Sequence, residues 1–389
     1  MRFIHTADWH IGKLVHGIHM TEDQKYILDQ FIEMVKEEKP DAIVIAGDLY
    51  DRSIPPVEAV QLLGEALVEI LLKQGVKVIA IAGNHDSPDR IDFGGRLMEA
   101  TGLYISGKLK KEIGKVTMED EFGPVNFYTV PYAEPVLVRE LYGDETIKTH
   151  DDAFKVIIDK IKATINMNER NVLVAHGYIT SGESPETCDS ERPLSIGGTD
   201  AVNVEHFHDF NYVALGHLHG AQKINVDKIR YSGSLMKYSF SEVKHKKSVT
   251  IVDIDESGDI QYRYRELAPK RNMRKIRGEL KDLIEEANSL EKTSEDYIMA
   301  TLTDKGEIID AIGKLRNVYP NVLRLEREAS TGDAGEERTS ASKNFVEKSL
   351  LGLFTEFYEN ITGNKFNQEM KEIVVDTAEG MEKERRNER

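Results

Sequence analysis

The hydrophobic pattern opens with a strand. Residues 2–7 form a short, largely apolar run. Ile18, Tyr26, Ile27, Phe31, Met34 and Val35 then recur at helical spacing over 18–38, with Pro40 just past the end. Residues 41–46 are a continuous apolar run of strand length, Pro55-Pro56 open a helix running to about Lys73, and Val76 to Ala82 read as a third strand. Such strand–helix–strand alternation predicts parallel strands with right-handed crossovers. A helix carrying Ile91, Leu97 and Met98 follows, then short strands near 104–106, 114–119 and 125–130, and a helix near 150–166. Residues 171–176 and 212–217 are again apolar strands, and 221–266 alternates in short segments that read as antiparallel. The expected fold class is α/β, a β-sandwich flanked by helices.

The texture changes after about 268. Segments 273–278, 280–288, 297–302, 307–316 and 322–326 read strand–helix–strand–helix–strand, a small α+β domain. Residues 329–343 are small, polar and charged, as a flexible linker would be. Beyond them lie one amphipathic helix with Phe345, Leu350, Leu351, Phe354, Phe357 and Tyr358, and a second with Met370, Ile373 and Val374. Two helices beyond a linker have little core of their own, so their apolar faces are expected to need a partner. The divisions are therefore 1–267, 268–328, 329–343 and 344–389.

Length and charge narrow the class. A chain of 389 residues that is 40% hydrophobic can hold two or three domains and a sizeable core. With 51 basic and 68 acidic residues the net charge is −17, which argues against a generic polyanion binder. Residues 223–277 run the other way, with 14 Lys/Arg against 7 Asp/Glu, a surplus of +7 that reads either as a basic patch or as an ordinary solvated surface. The single cysteine, Cys188, excludes an intrachain disulfide and fits a reducing, cytoplasmic setting. No signal-peptide pattern is expected at the start, and apolar runs fall far short of the roughly 20 residues that span a bilayer.

Chemistry gathers at the strand ends. Asp8-Trp9-His10, Gly47-Asp48, Gly83-Asn84-His85-Asp86, His176-Gly177 and Gly216-His217-Leu218-His219 each follow an apolar run. In parallel sheets the carboxyl ends of strands meet at one edge, which would bring Asp8, Asp48 and Asn84 together. Asp8 and His10, two apart on an extended segment, point to the same side, as do His217 and His219. Asp48 has two oxygens with which to bridge two metals. Oxygen and imidazole donors without sulfur suit manganese, iron, zinc or magnesium, and a metal pair about 3.5–4 Å apart is apparatus for cutting phosphate esters. His85, beside Asn84, is placed to act as general acid, with Asp86 orienting it. Singly each motif has an ordinary alternative: Asn-His is a turn, and Asp-x-His is weak. Their joint occurrence is not. His5 and Trp9 are expected to pack, His206 and His208 to lie at the surface.

Together these motifs resemble the calcineurin-like metallophosphoesterases. The runs 6–13, 46–51 and 81–87, with Tyr231-Ser232-Gly233-Ser234, narrow the likeness to the SbcD-type nucleases, over roughly residues 1–330. The resemblance implies one manganese held by Asp8, His10, Asp48 and His219, a second by Asp48, Asn84, His176 and His217 (magnesium being possible for both), and His85 as catalytic histidine. It implies a cap at about 270–328 that helps place DNA, and C-terminal helices gripping SbcC, an ATPase of the SMC type. It also implies a nuclease homodimer within a heterotetramer, joined through helices such as 91–101. The implied reactions are double-strand exonuclease cutting, 3′ to 5′, and single-strand or hairpin endonuclease cutting in repair, replication and recombination. Relatives often carry a further histidine after the Gly-Asp motif. Here Tyr50-Asp51-Arg52 stands there, so that role does not transfer. Arg52 and Lys13 are the candidate DNA contacts. The competing readings are a small-molecule phosphodiesterase of the same fold and a non-catalytic scaffold.

Overall fold

In the strand Arg2–Thr6, Phe3 and Ile4 are both fully buried but belong to different core clusters, because successive strand side chains point to opposite faces. That alternation sets the layers. The structure, a computed structural model, describes residues 1–192, 194, 200–289, 294–306, 308–328 and 370–371. One six-stranded sheet has the order Ile260–Glu266, Ser248–Ile254, Arg2–Thr6, Ala42–Ile45, Lys77–Ile81, Leu103–Ser106. The other runs Gln222–Ile224, Val226–Tyr231, Tyr212–Gly216, Arg170–His176, Gly123–Val130, Gly114–Asp120. Phe3, Val44 and Ile81 of the first sheet share a core with Phe127, Val174 and Ala214 of the second. The helices Thr21–Glu38 and Val57–Val68 cover the outer face of the first sheet, and His150–Lys162 that of the second.

Strands Arg2–Thr6, Ala42–Ile45, Lys77–Ile81 and Leu103–Ser106 pair in parallel, as the alternation predicted. So do Gly123–Val130, Arg170–His176, Tyr212–Gly216 and Val226–Tyr231. The antiparallel expectation for 221–266 therefore needs correction at one point. Gln222–Ile224 is antiparallel to Val226–Tyr231, and Ser248–Ile254 to Ile260–Glu266, but Val226–Tyr231 lies parallel to Tyr212–Gly216. The short edge strand reverses the chain once more before it re-enters the sheet.

Helix ends also differ from the spacing. The first helix starts at Thr21 because Leu14–Val15 and Ile18–His19 pair as a small hairpin; it stops at Lys39, whose left-handed backbone donates its N–H to Val35 O. The helix expected over 91–101 is broken into Pro88–Asp92 and Gly95–Met98, since Gly94 takes φ +72°. Phe93 and Leu97 are each left 83% exposed. A helix at Pro135–Tyr142 was not anticipated.

Residues Met1–Leu302 with Ile308–Glu326 form one unit, and Thr303–Glu307 with Arg327–Arg389 another. Within the first, Met273–Gly278, Tyr297–Leu302 and Val322–Arg327 make a three-stranded sheet with the helices Leu280–Asn288 and Ala311–Arg316. Its core holds Leu283, Ile298, Leu315 and Tyr319, and it is tied to the first helix by Tyr297 and Arg271, each 2.8 Å from the buried carboxylate of Asp23. The expected linker at 329–343 and nearly all of the C-terminal helices from 344 lie outside the described residues.

Folding also answers the basic surplus of 223–277. Arg263 and Arg265 pair with Glu38 and Glu37, Lys270 and Arg271 with Glu22 and Asp23, Arg274 with Asp296, and Lys247 with Glu242. Much of its positive charge is therefore paired, by Glu22, Asp23, Glu37, Glu38 and Asp296 from outside the stretch and by Glu242 within it, rather than presented as a patch.

Candidate metal centre

Asp8, His10, Asp48, Asn84, His217 and His219 lie in the turns just past buried strands, and His176 is the last residue of its strand. Asp8, His10, Asp48 and His217 all take positive φ, at 54°, 45°, 53° and 112°. Non-glycine residues adopt this region rarely and at a cost, and they persist in it where surrounding structure over-determines them. Here the turns are bonded to one another: Asp8 N–H donates to Gly47 O at 3.1 Å, His10 N–H to Asp48 O at 2.9 Å, and His85 N–H to Asp48 Oδ1 at 2.8 Å. Two glycines make the approach possible. A Cβ on Gly83 would overlap the Asp48 carboxylate, and one on Gly216 would overlap the carbonyl oxygen of Ala46 on the facing sheet.

The structure brings Asp8, His10, Asp48, Asn84, His176, His217 and His219 together. Asp8, His10 and His219 offer donor atoms within 4.8 Å of one another, and so do Asp8, Asp48 and His176. Asp48 Oδ2 lies 3.6 Å from His10 Nε2 and 3.6 Å from His176 Nε2, midway between the two groups. Asn84 Oδ1 is 2.9 Å from His176 Nε2 and 3.3 Å from His217 Nδ1. The Asp8 carboxylate accepts the His217 N–H at 2.9 Å.

Several rings have their tautomer fixed from behind. His176 Nδ1 faces Ala46 O at 2.8 Å, and a carbonyl accepts only, so Nδ1 carries the proton and Nε2 presents a lone pair. His219 Nδ1 is 2.8 Å from Ser190 Oγ, whose hydroxyl in turn donates to Glu242 Oε1 at 2.6 Å. His219 Nε2 then faces His10 Nε2 at 3.1 Å. Two imidazole nitrogens at that distance need either a shared proton or a shared cation. Such outer partners are the usual support of metal-bound histidine.

Electrostatics points the same way. Burial, then the neighbouring Asp48, pushes the Asp8 carboxyl well above its ordinary range. Burial lowers His10 and His217 well below theirs, and His176 and His219 also move down. Imidazoles kept unprotonated present lone pairs, and a buried carboxyl that is costly to ionise alone is one whose anionic form a divalent cation would stabilise. The residues present fit a pair of such ions.

His85 sits at the rim. Its Nδ1 donates to Asp51 O at 2.8 Å, leaving Nε2 as the other ring nitrogen, and the ring packs edge-on to His10. Asp86 is a correction. It does not touch His85. Its buried carboxylate accepts the N–H groups of Leu49, Tyr50 and Gly83 at 3.1, 2.9 and 3.0 Å, and so pins the Asp48 turn to the Asn84 turn. Burial and Asp48 raise it to about 7 in spite of those three amides. Lys13 is also placed otherwise than expected for a DNA contact: its ammonium binds Asp51 at 2.7 Å and is mostly covered. Arg52 is exposed. Trp9 is buried, with Nε1–H on Thr6 Oγ1, and His5 is buried between Tyr212 OH and Leu215 O, its pKa pushed down to about 3 by burial. Sequence reasoning missed Ser190, Glu191, Glu242 and Lys247, all of which touch His219 or its support. Nothing in their local sequence marks them.

Comparison with known proteins extends this picture. Residues 1–221 match the family described as calcineurin-like phosphoesterase, and residues 269–362 the family described as type 5 capsule protein repressor C-terminal domain. The chain is 36% identical over 368 residues to the SbcD component of nuclease SbcCD from Staphylococcus epidermidis, spanning 95% of each chain. Among solved structures it is similar to the protein TT1561 of Thermus thermophilus, with TM-score 0.37, 12% identity and coverage of 68% of this chain and 98% of that one. It is likewise similar to a dimetal phosphatase of Danio rerio, with TM-score 0.39, 12% identity and coverage of 68% and 96%.

Proposed function

The chain belongs to the calcineurin-like phosphoesterases and, along nearly its whole length, to the SbcD nucleases, and from that premise we propose that it is a manganese-dependent DNA nuclease working with an SbcC-type ATPase. The observation that carries the reading is Asp48 Oδ2, equidistant at 3.6 Å from a nitrogen of each histidine group. Asp8, His10, Asp48 and His219 would hold one ion, and Asp48, Asn84, His176 and His217 the other. When bound, the pair supplies Lewis-acid polarisation of the phosphate and an acidified water.

The chain's own residues do the rest. Asp48 Oδ2 lies between the two positions, and Oδ1 accepts the His85 N–H at 2.8 Å, which fixes the carboxylate there. Ala46 O and Ser190 Oγ keep His176 and His219 in the tautomers that leave Nε2 free. His85, with its Nδ1–H donated to Asp51 O, directs Nε2 to the phosphate, where the ring as imidazolium would donate a second N–H to an oxygen as charge develops there.

The reaction is cleavage of DNA ends, as a double-strand exonuclease cutting 3′ to 5′ and as an endonuclease on single strands and hairpins. Residues 1–267 are the nuclease domain, 268–328 the DNA cap, 329–343 the link, and 344–389 the segment that binds SbcC. The bare apolar side chains of Phe93 and Leu97 support a homodimer contact near 91–101. The oxygen and imidazole set supports manganese, with magnesium as the close substitute, and a lone cysteine supports a cytoplasmic setting.

A substrate test separates this reading from a small-molecule phosphodiesterase. Labelled linear duplex and hairpin DNA are expected to be cut with manganese, and SbcC with ATP to extend cutting to blocked ends. Hydrolysis of bis-p-nitrophenyl phosphate with no cutting of either DNA would overturn it.

A further inference from the structure

We infer that Ser190 is a positioning residue that tunes one of the two metal positions through His219; the inference rests on the two-metal reading above. Ser190 belongs to the stretch between the strands Tyr178–Thr180 and Ala201–Asn203, not to either large sheet. Its hydroxyl donates to the buried Glu242 at 2.6 Å, so its oxygen is left to accept from His219 Nδ1 at 2.8 Å. That bond fixes the tautomer in which His219 Nε2 bears the lone pair, 3.1 Å from His10 Nε2.

The backbone of His219 is held as well. Glu191 Oε1 accepts its N–H at 2.7 Å, and Lys247 Nζ donates to its carbonyl oxygen at 2.7 Å while pairing with Glu242 at 2.6 Å. The two histidines therefore differ in kind. The rear nitrogen of His176 meets a backbone carbonyl that follows a central strand, which no side-chain substitution removes. The rear nitrogen of His219 bonds one hydroxyl on a connecting segment, with Glu242 Oε1 beyond it at 3.7 Å. Loss of that hydroxyl leaves Nδ1 with only Glu242 Oε1, which lies outside hydrogen-bond reach, so the ring can turn or carry its proton on Nε2, where it cannot bind a cation. The effect falls on the position of His10 and His219 and spares that of Asn84, His176 and His217.

Ser190 is only half-buried, so Ser190→Ala is expected to fold. The test titrates manganese into full-length wild type, Ser190→Ala and Ser190→Thr by calorimetry, with electron paramagnetic resonance to distinguish paired from single manganese. Wild type is expected to take two ions. Ser190→Ala is expected to take one with unchanged affinity and the second about 10- to 100-fold more weakly, losing the spin-coupled signal below saturation. Ser190→Thr, which keeps the hydroxyl, restores both. Equal affinities in Ser190→Ala and wild type would overturn the inference, as would uniform weakening of both positions that threonine does not restore. A wild type that never binds a pair would instead remove the two-metal reading and this inference with it.

Discussion

His85 and Asp86 are sequence neighbours whose side chains do unrelated things. His85 donates Nδ1–H to Asp51 O at the rim of the site, whereas Asp86 turns inward and accepts three backbone amides. His85→Ala is therefore expected to bind two metal ions as wild type does while cleavage falls about 10²- to 10⁴-fold; a calorimetric titration beside a cleavage assay checks it, and an undiminished rate would refute the donor role. Asp86→Ala has the opposite signature. It strands the amides of Leu49, Tyr50 and Gly83, at a cost of about 1–3 kcal/mol for each buried donor left without a partner, so a lowered Tm and weaker metal binding are expected together. That Asp8, His10, Asp48, Asn84, His176, His217 and His219 would come together was legible because Asp, Asn and His fell at strand ends. The direction of Asp86 was not, since it depends on which turn of a separate strand loop stands opposite. Ser190 and Glu242 were invisible for the same reason: they meet His219 only after the chain has folded.

Among the elements, the glycines before the ligands matter as much as the ligands. Gly83 lets the Asn84 turn lie against Asp48, and any Cβ there displaces the carboxylate placed between the two histidine groups. Gly83→Ala is expected to lose metal binding in calorimetry while far-ultraviolet circular dichroism stays that of a folded chain; unaltered binding would show that Asp48 needs no such approach. The strands were readable because buried parallel strands are continuous apolar runs. Helical spacing was a poorer guide. It ran Ile18 into a helix that begins at Thr21, carried one helix through Gly94-Gly95 where the backbone turns left-handed, and overlooked the short Pro135–Tyr142, too brief to establish a period.

At the scale of the molecule, charge is organised in pairs that join distant parts of the chain. Asp120 receives Arg170 at 2.8 Å and the ammonium of Met1 at 2.7 Å, and Met1 also donates to Ile254 O, so one carboxylate joins the margins of both sheets. Arg170 holds that carboxyl well below its usual range. A depressed carboxylate adds stability that is complete above the unfolded value of about 3.9 and is lost as pH falls below it. Urea midpoints are thus expected to drop between pH 5 and pH 3, and less steeply in Asp120→Asn, which at neutral pH is already less stable by about 1–3 kcal/mol because Arg170 and the Met1 ammonium lose the charge they face while Arg170 keeps Gly123 O. Parallel pH curves for the two proteins would contradict this.

The account as a whole stands on Asp48 joining two metal positions. Its most direct test is cleavage of end-labelled duplex DNA against manganese concentration, with bound manganese counted in the same samples, for wild type and Asp48→Ala. The account predicts two ions and metal-dependent cutting in the wild type, and loss of both the second ion and the cutting in Asp48→Ala. Cutting by Asp48→Ala at the wild-type rate, or a wild type that cuts fully with one ion bound, would contradict it.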